Sequence, residues 1–194
     1  MIDTIFANEP QLLNTLEERS KAIGFTMPSD KHIGALLKTL VSSKSGGHFL
    51  ELGTGIGLSL SWVLDGIDTM SKVISLDNDE DLVDIAREYF GTNNQLELIA
   101  VDGEKWLENY DGPNFDLIFA DTWPGKYNHL DETLSLLNSG GFYVIDDMIE
   151  RPNWPEGHKE KVDHLLATLD ARKDLVISKM HWSTGILVAT KVAI

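Results

Sequence analysis

Cysteine is absent from all 194 residues, so the chain has neither disulfides nor thiolate metal ligands, and a metal must be held by oxygen or imidazole. No stretch approaches the roughly 20 consecutive apolar residues of a membrane span. The opening MIDTIFANEP lacks both the basic start and the apolar run of a secretory leader. A soluble, cytoplasmic protein without a membrane partner is expected. Positive charge is also scarce: 16 Lys and Arg stand against 31 Asp and Glu, a formal charge of -15. Such a surface works against tracking a phosphate backbone and favours a small-molecule substrate over nucleic acid. Repeats, low-complexity tracts and linkers are lacking too. The expectation is one domain over residues 1–194, monomeric or homodimeric, with 1–45 forming helices that cover a site built on 46–194.

What is present centres on His48 to Ser59, HFLELGTGIGLS. An apolar run delivers Gly53, Gly55 and Gly57, and a helical pattern begins at Leu58, which reads as strand, tight turn and helix N-terminus. The spacing G-x-G-x-G departs from the dinucleotide fingerprint G-x-G-x-x-G. Glu51, just before the first glycine, would repel a pyrophosphate but suits a ligand bearing ammonium and sulfonium cations, such as S-adenosylmethionine. The bland alternative is a glycine-rich turn that binds nothing.

Around this loop, residues 1–25 carry Leu12, Leu13 and Leu16 as an inner helical stripe. A second helix, capped by Ser29 or Asp30, buries Ile33, Leu36, Leu37, Leu40 and Val41. Strands are expected at 72–77, 96–101, 115–121 and 141–147. Helices between and after them carry Leu82, Ile85, Ala86 and Tyr89; then Leu130, Leu134 and Leu137; then Val162, Leu165, Leu166 and Leu169. This alternation predicts an α/β fold with a parallel sheet and helices on both faces. The runs 175–182 and 186–192, joined only by Ser183 to Gly185, predict an antiparallel hairpin.

In open α/β sheets ligands bind beyond the carboxyl ends of the strands, and here those ends are acidic: Asp77, Asp102, Asp121, Asp146 and Asp147. Asp102 and Asp79 are also natural helix caps. Asp77, about 20 residues beyond Gly57, stands where a carboxylate meets a ribose hydroxyl. Asp121, Asp146 and Asp147 converge on one point only if a cation or protons offset their charge, and all-oxygen ligation suits Mg²⁺ or another hard divalent ion. Consecutive strand residues face opposite ways, so Asp146 and Asp147 act together only if the strand has already ended. Trp123 and Trp154, in proline-bounded loops, are walls for a flat substrate or structural turns, and Pro155 is a possible first residue of the last helix. The histidines His48, His158, His164 and His181 are assigned to surface or packing.

These residues resemble class I S-adenosylmethionine-dependent methyltransferases, within them the catechol and caffeoyl-CoA O-methyltransferase group. ELGTGIGLS at 51–59 is similar to the group's cofactor loop, SLDND at 75–79 to its ribose segment, and FDLIFADTWPGKY with GGFYVIDDM to its metal-bearing strands. The resemblance implies a Rossmann-like, seven-stranded, mostly parallel sheet of order 3-2-1-4-5-7-6 with the hairpin at its end. It implies cofactor contacts from Met27, Glu51, Gly53, Thr54, Gly55, Ser59, Asp77, Asn78, Asp102, Gly103, Asp121 and Trp123, and metal ligation by Asp121, Asp146 and Asp147. Two departures stand out. Asp147 replaces the group's usual Asn, and Pro124 occupies the place of its catalytic lysine, which leaves Lys126, with Asp121 beside it, as the catalytic candidate and Tyr127 and His129 as alternatives. The expected activity is methyl transfer to a hydroxyl of a small aromatic acceptor. Alternatives are metal-free transfer to nitrogen or carbon, and a non-catalytic nucleotide-binding module on the same fold.

Overall fold

The computed structural model describes residues 8–152 and 154–193, so residues 1–7 of the expected first helical segment lie outside the described part. Helices α1 (Leu13–Ile23) and α2 (Lys31–Ser42) precede strand β1 (His48–Leu52). Then follow α3 (Leu58–Gly66), β2 (Lys72–Asp77), α4 (Glu80–Phe90), β3 (Leu96–Ala100), α5 (Gly103–Asn109), β4 (Phe115–Ala120), α6 (Leu130–Ser135), β5 (Leu137–Ile145), α7 (His158–Asp170), β6 (Leu175–Met180) and β7 (Ile186–Lys191).

The strands form one seven-stranded sheet of order β3-β2-β1-β4-β5-β7-β6. β1, β2, β3, β4 and β5 run parallel, while β7 lies antiparallel between β5 and β6. Alternation along the strands makes two apolar layers. Phe49, Val73, Leu117 and Phe119 meet α1 to α4 on one face, through Leu16, Leu37, Trp62 and Ala86 among others. Leu50, Leu76, Ile118 and Ile145 meet α5, α6 and α7 on the other, through Leu107, Leu134 and Leu165.

The helix starts follow from capping. Asp30 accepts from the backbone N–H of His32 at 2.7 Å and of Ile33 at 3.2 Å, so of the two sequence candidates it is Asp30 that caps α2. Asp79 and Asp102 cap α4 and α5 in the same way.

Several boundaries differ from expectation. The α6 stripe stops at Ser135, and Leu137 opens β5, because the β4–β5 register shifts between Phe115 and Leu117 and Gly140 (φ 78°) takes up the irregularity. α7 begins at His158 rather than Pro155, since Gly157 at its N-cap has φ 80°, a left-handed conformation that glycine supplies and most residues resist. β6 ends at Met180, and a turn closed by Gly185 N–H donating to the Trp182 carbonyl at 2.7 Å lengthens the hairpin link. Among the described residues no helix is long and apolar enough to cross a membrane.

Candidate active site

The loop after β1 is tied to its neighbours by main-chain bonds. Gly53 and Thr54 N–H both donate to the Leu76 carbonyl, at 2.8 and 3.2 Å. Gly53 has φ 102°, and a Cβ there would stand 3.0 Å from the Asp121 carbonyl oxygen, so both conformation and close approach call for glycine. Gly55 N–H donates to Asp77 Oδ2 at 2.8 Å and Asp79 N–H to Asp77 Oδ1 at 3.0 Å, which orients the Asp77 carboxylate at the mouth of the loop.

Glu51 lies beneath this loop. It is 1 % exposed, accepts from Ser75 Oγ at 2.5 Å, and leaves Oε1 without a partner. Burial pushes its carboxyl up to about 7, with the hydroxyls of Ser75 and Ser59 opposing the rise and the Asp77 charge adding to it.

Beyond β4 and β5 the three aspartates do meet: Asp121, Asp146 and Asp147 each offer an oxygen within 4.8 Å of the others. β5 ends at Ile145, and Asp147 has φ 54°, so the alternation of a strand no longer applies and both neighbours turn to one side. Asp146 is buried with Oδ1 unpartnered, Asp121 accepts from Ser29 Oγ at 3.2 Å, and Asp147 N–H donates to Thr184 Oγ1 at 3.3 Å. Burial raises the Asp121 carboxyl and lifts that of Asp146 well above its ordinary value. For Asp146 the charge of Asp121 adds to the rise, while the Lys126 charge opposes it for both. Lys126 is 4 % exposed and its Nζ donates to the Asp146 backbone carbonyl at 2.6 Å. An orphaned carboxylate oxygen among three converging carboxylates fits a hard divalent cation.

One cleft of about 820 Å³ joins these parts. Of the sequence candidates, Met27, Gly53, Thr54, Gly55, Asp77, Asn78, Asp121, Trp123, Lys126, Asp146 and Asp147 line it. Glu51, Ser59, Asp102 and Gly103 do not. Asp102 is turned to α5, and Gly103 packs under Pro124, where a Cβ would stand 3.0 Å from the ring. His129 is also outside the lining, with Nε2 3.2 Å from Glu108 Oε1. The far wall is aromatic: Trp123, Tyr127, Trp154 and His158 touch edge to face or tilted, with Lys161 Nζ 3.7 Å from the Trp123 ring centre. The lining residues Arg151, His158 and Thr184 were not among the sequence candidates. His158 carried no signal beyond its place three residues after Pro155, since its neighbours across the cleft come from distant segments.

A family model described as O-methyltransferase matches residues 3–186. The chain belongs to the O-methyltransferase family. A curated relative of this family member, from Mycobacterium ulcerans and carrying a provisional O-methyltransferase name, is 27% identical over 143 residues, 71% of this chain and 63% of the relative. The match thus spans less than two thirds of that relative's length. Two solved structures share the fold. The O-methyltransferase from Bacillus cereus in complex with SAH superimposes with a TM-score of 0.79 at 21% identity, covering 97% of this chain and 94% of that one. The O-methyltransferase TomG from Streptomyces achromogenes, involved in tomaymycin synthesis and solved in complex with SAM, gives 0.82 at 18% identity, covering 98% and 93%.

Proposed function

We propose that this chain is an S-adenosylmethionine-dependent O-methyltransferase acting on a hydroxyl of a small aromatic molecule, assisted by a divalent cation. The observation that carries it is a single cleft with the glycine loop and Asp77 at one end, the three aspartates in the middle and the aromatic wall beyond. Bound there, S-adenosylmethionine supplies an electrophilic methyl group. The protein's part is to orient and desolvate: backbone N–H groups of the loop and Asp77 hold the donor, and the aromatic wall lays a flat acceptor against it. Asp121, Asp146 and Asp147 would hold the cation, which as a Lewis acid favours an ionised acceptor oxygen. Glu51 and Ser59, one layer beneath the loop, support its conformation and charge. Asp102 and Gly103 shape the rim next to Pro124.

The same proposal takes residues 1–194 as one domain in which α1, α2 and the segment from Phe25 to Asp30 cover the donor site. It takes the protein as cytoplasmic and, on the strength of the acidic charge, without nucleic-acid partners. Calorimetry with S-adenosylhomocysteine tests the core of it: saturable binding is expected, and none in the parent protein would end the proposal. A metal-free version of the chemistry is favoured by one observation, the Lys126 ammonium already set against the Asp146 carbonyl, its charge opposing the rise of both the Asp121 and Asp146 carboxyls. Full activity in excess chelator would select that version.

A further inference from the structure

The proposal above leaves open which group takes the acceptor's proton. Lys126 commits a donor to the Asp146 carbonyl at 2.6 Å, and its charge serves the carboxylates. His129 lies outside the cleft against Glu108. Tyr127 lines the cleft, but burial, with the charges of Asp147 and Asp146, pushes its phenol up to about 12, which makes it a hydrogen-bond donor at neutral pH.

His158 remains. As the first residue of α7 it lines the cleft, its ring set edge-on by Trp154 at 4.6 Å between centres and by Tyr127 at 5.5 Å. Its Nε2 stands 3.5 Å from Tyr127 Oη, a loose contact. Two polar atoms so spaced can both reach one intervening oxygen at an ordinary distance of about 2.8 Å.

Resting on the O-methyltransferase proposal above, we propose that His158 is the catalytic base, taking the acceptor hydroxyl's proton on Nε2 while Tyr127 donates to the same oxygen. The acceptor O–H bond breaks toward the imidazole and the oxygen forms its bond to the methyl carbon. The carbon–sulfur bond breaks with its electron pair left on sulfur, so a cationic sulfonium and a neutral imidazole become a neutral thioether and an imidazolium. The surroundings suit this. Burial and the charges of Lys126, from the loop after β4, and Lys161, from α7, hold the ring below the ordinary histidine value, with Asp147, from the segment after β5, opposing them. Arg151 lines the same cleft, and among the described residues the other rings against it, Trp123 and Trp154, are uncharged.

The test uses H158Q, H158A and Y127F in the full chain, with S-adenosylmethionine and catechol as the probe acceptor. H158Q is expected to bind S-adenosylhomocysteine like the parent and to lose about a hundredfold in kcat together with the rising limb of the pH profile. Added imidazole is expected to restore part of the H158A rate. Y127F is expected to lower kcat but to keep the pH limb. In the free protein the His158 ring resonance, assigned by its loss in H158Q, is expected to titrate below the ordinary value of about 6.5. Unchanged kcat and pH profile in H158Q overturns the assignment of the base while leaving the methyltransferase proposal standing. Failure of the parent protein to bind S-adenosylhomocysteine removes both.

Discussion

Glu51 shows how much one residue can load onto the fold. A carboxyl with an unpartnered oxygen, wholly inside the protein and raised to about 7, is protonated in the folded state over a range where the unfolded chain is already ionised. Below the unfolded value both states hold the proton and there is no difference. As pH rises from about 4.5 to about 7 the unfolded state alone gains its charge, so stability falls, by about 3 kcal/mol in total, and stays at that lower level above the folded pKa. E51Q keeps the shape and removes the ionisation. Denaturant unfolding followed against pH is expected to show a flatter profile for E51Q, with the variant more stable than the parent above neutrality. A ligand bringing positive charge to the glycine loop would offset the same penalty, so S-adenosylmethionine is expected to stabilise the parent more at pH 8 than at pH 5.

At the scale of elements, the segment from Phe25 to Asp30 matters because it ends in a cap. Asp30 satisfies two N–H groups of α2 and thereby fixes the loop from which Ser29 donates to Asp121. D30A is expected to cost about 1 kcal/mol of stability. It is also expected to weaken S-adenosylhomocysteine binding, read by calorimetry, because the loop over the cleft loses its anchor. Much of this layer was legible in the sequence. Period-two and period-3.6 patterns gave the strands and the long helices, and Asp79 and Asp102 announced their helices by type and position. What escaped had physical reasons. The start of β5 was hidden because Leu137 continues the spacing of Leu130 and Leu134 while an irregular register at Gly140 separates it from the rest of its strand. Gly157, which sets where α7 begins, is a choice of backbone conformation that no hydrophobic pattern reports. At the cleft, the aspartates could be read from strand ends, whereas His158 could not, since what makes it notable is the approach of Tyr127 and Trp154 through the tertiary fold.

For the whole molecule, the formal charge of -15 is distributed unevenly enough to matter at one point, where three carboxylates are held together with one buried lysine beside them. A cation that binds only the folded form raises stability by mass action, about 2.7 kcal/mol at a hundred times its dissociation constant. Thermal unfolding in Mg²⁺ is therefore expected to occur at a higher temperature than in excess chelator. D146N is expected to unfold later than the parent in chelator, because a carboxyl whose ionisation burial opposes is gone, and to lose most of the Mg²⁺ increment. Equal midpoints for the parent with and without the ion would leave Lys126 as the compensating charge.

The left-handed backbone at Asp147 restricts which side chains that position admits before any ligand is involved. Asparagine and aspartate tolerate such a conformation several-fold better than most residues, and β-branched residues scarcely at all. Carboxylate and carboxamide can therefore be exchanged there with the main chain undisturbed, so a single substitution can add or remove one unit of charge in the cleft without rebuilding it.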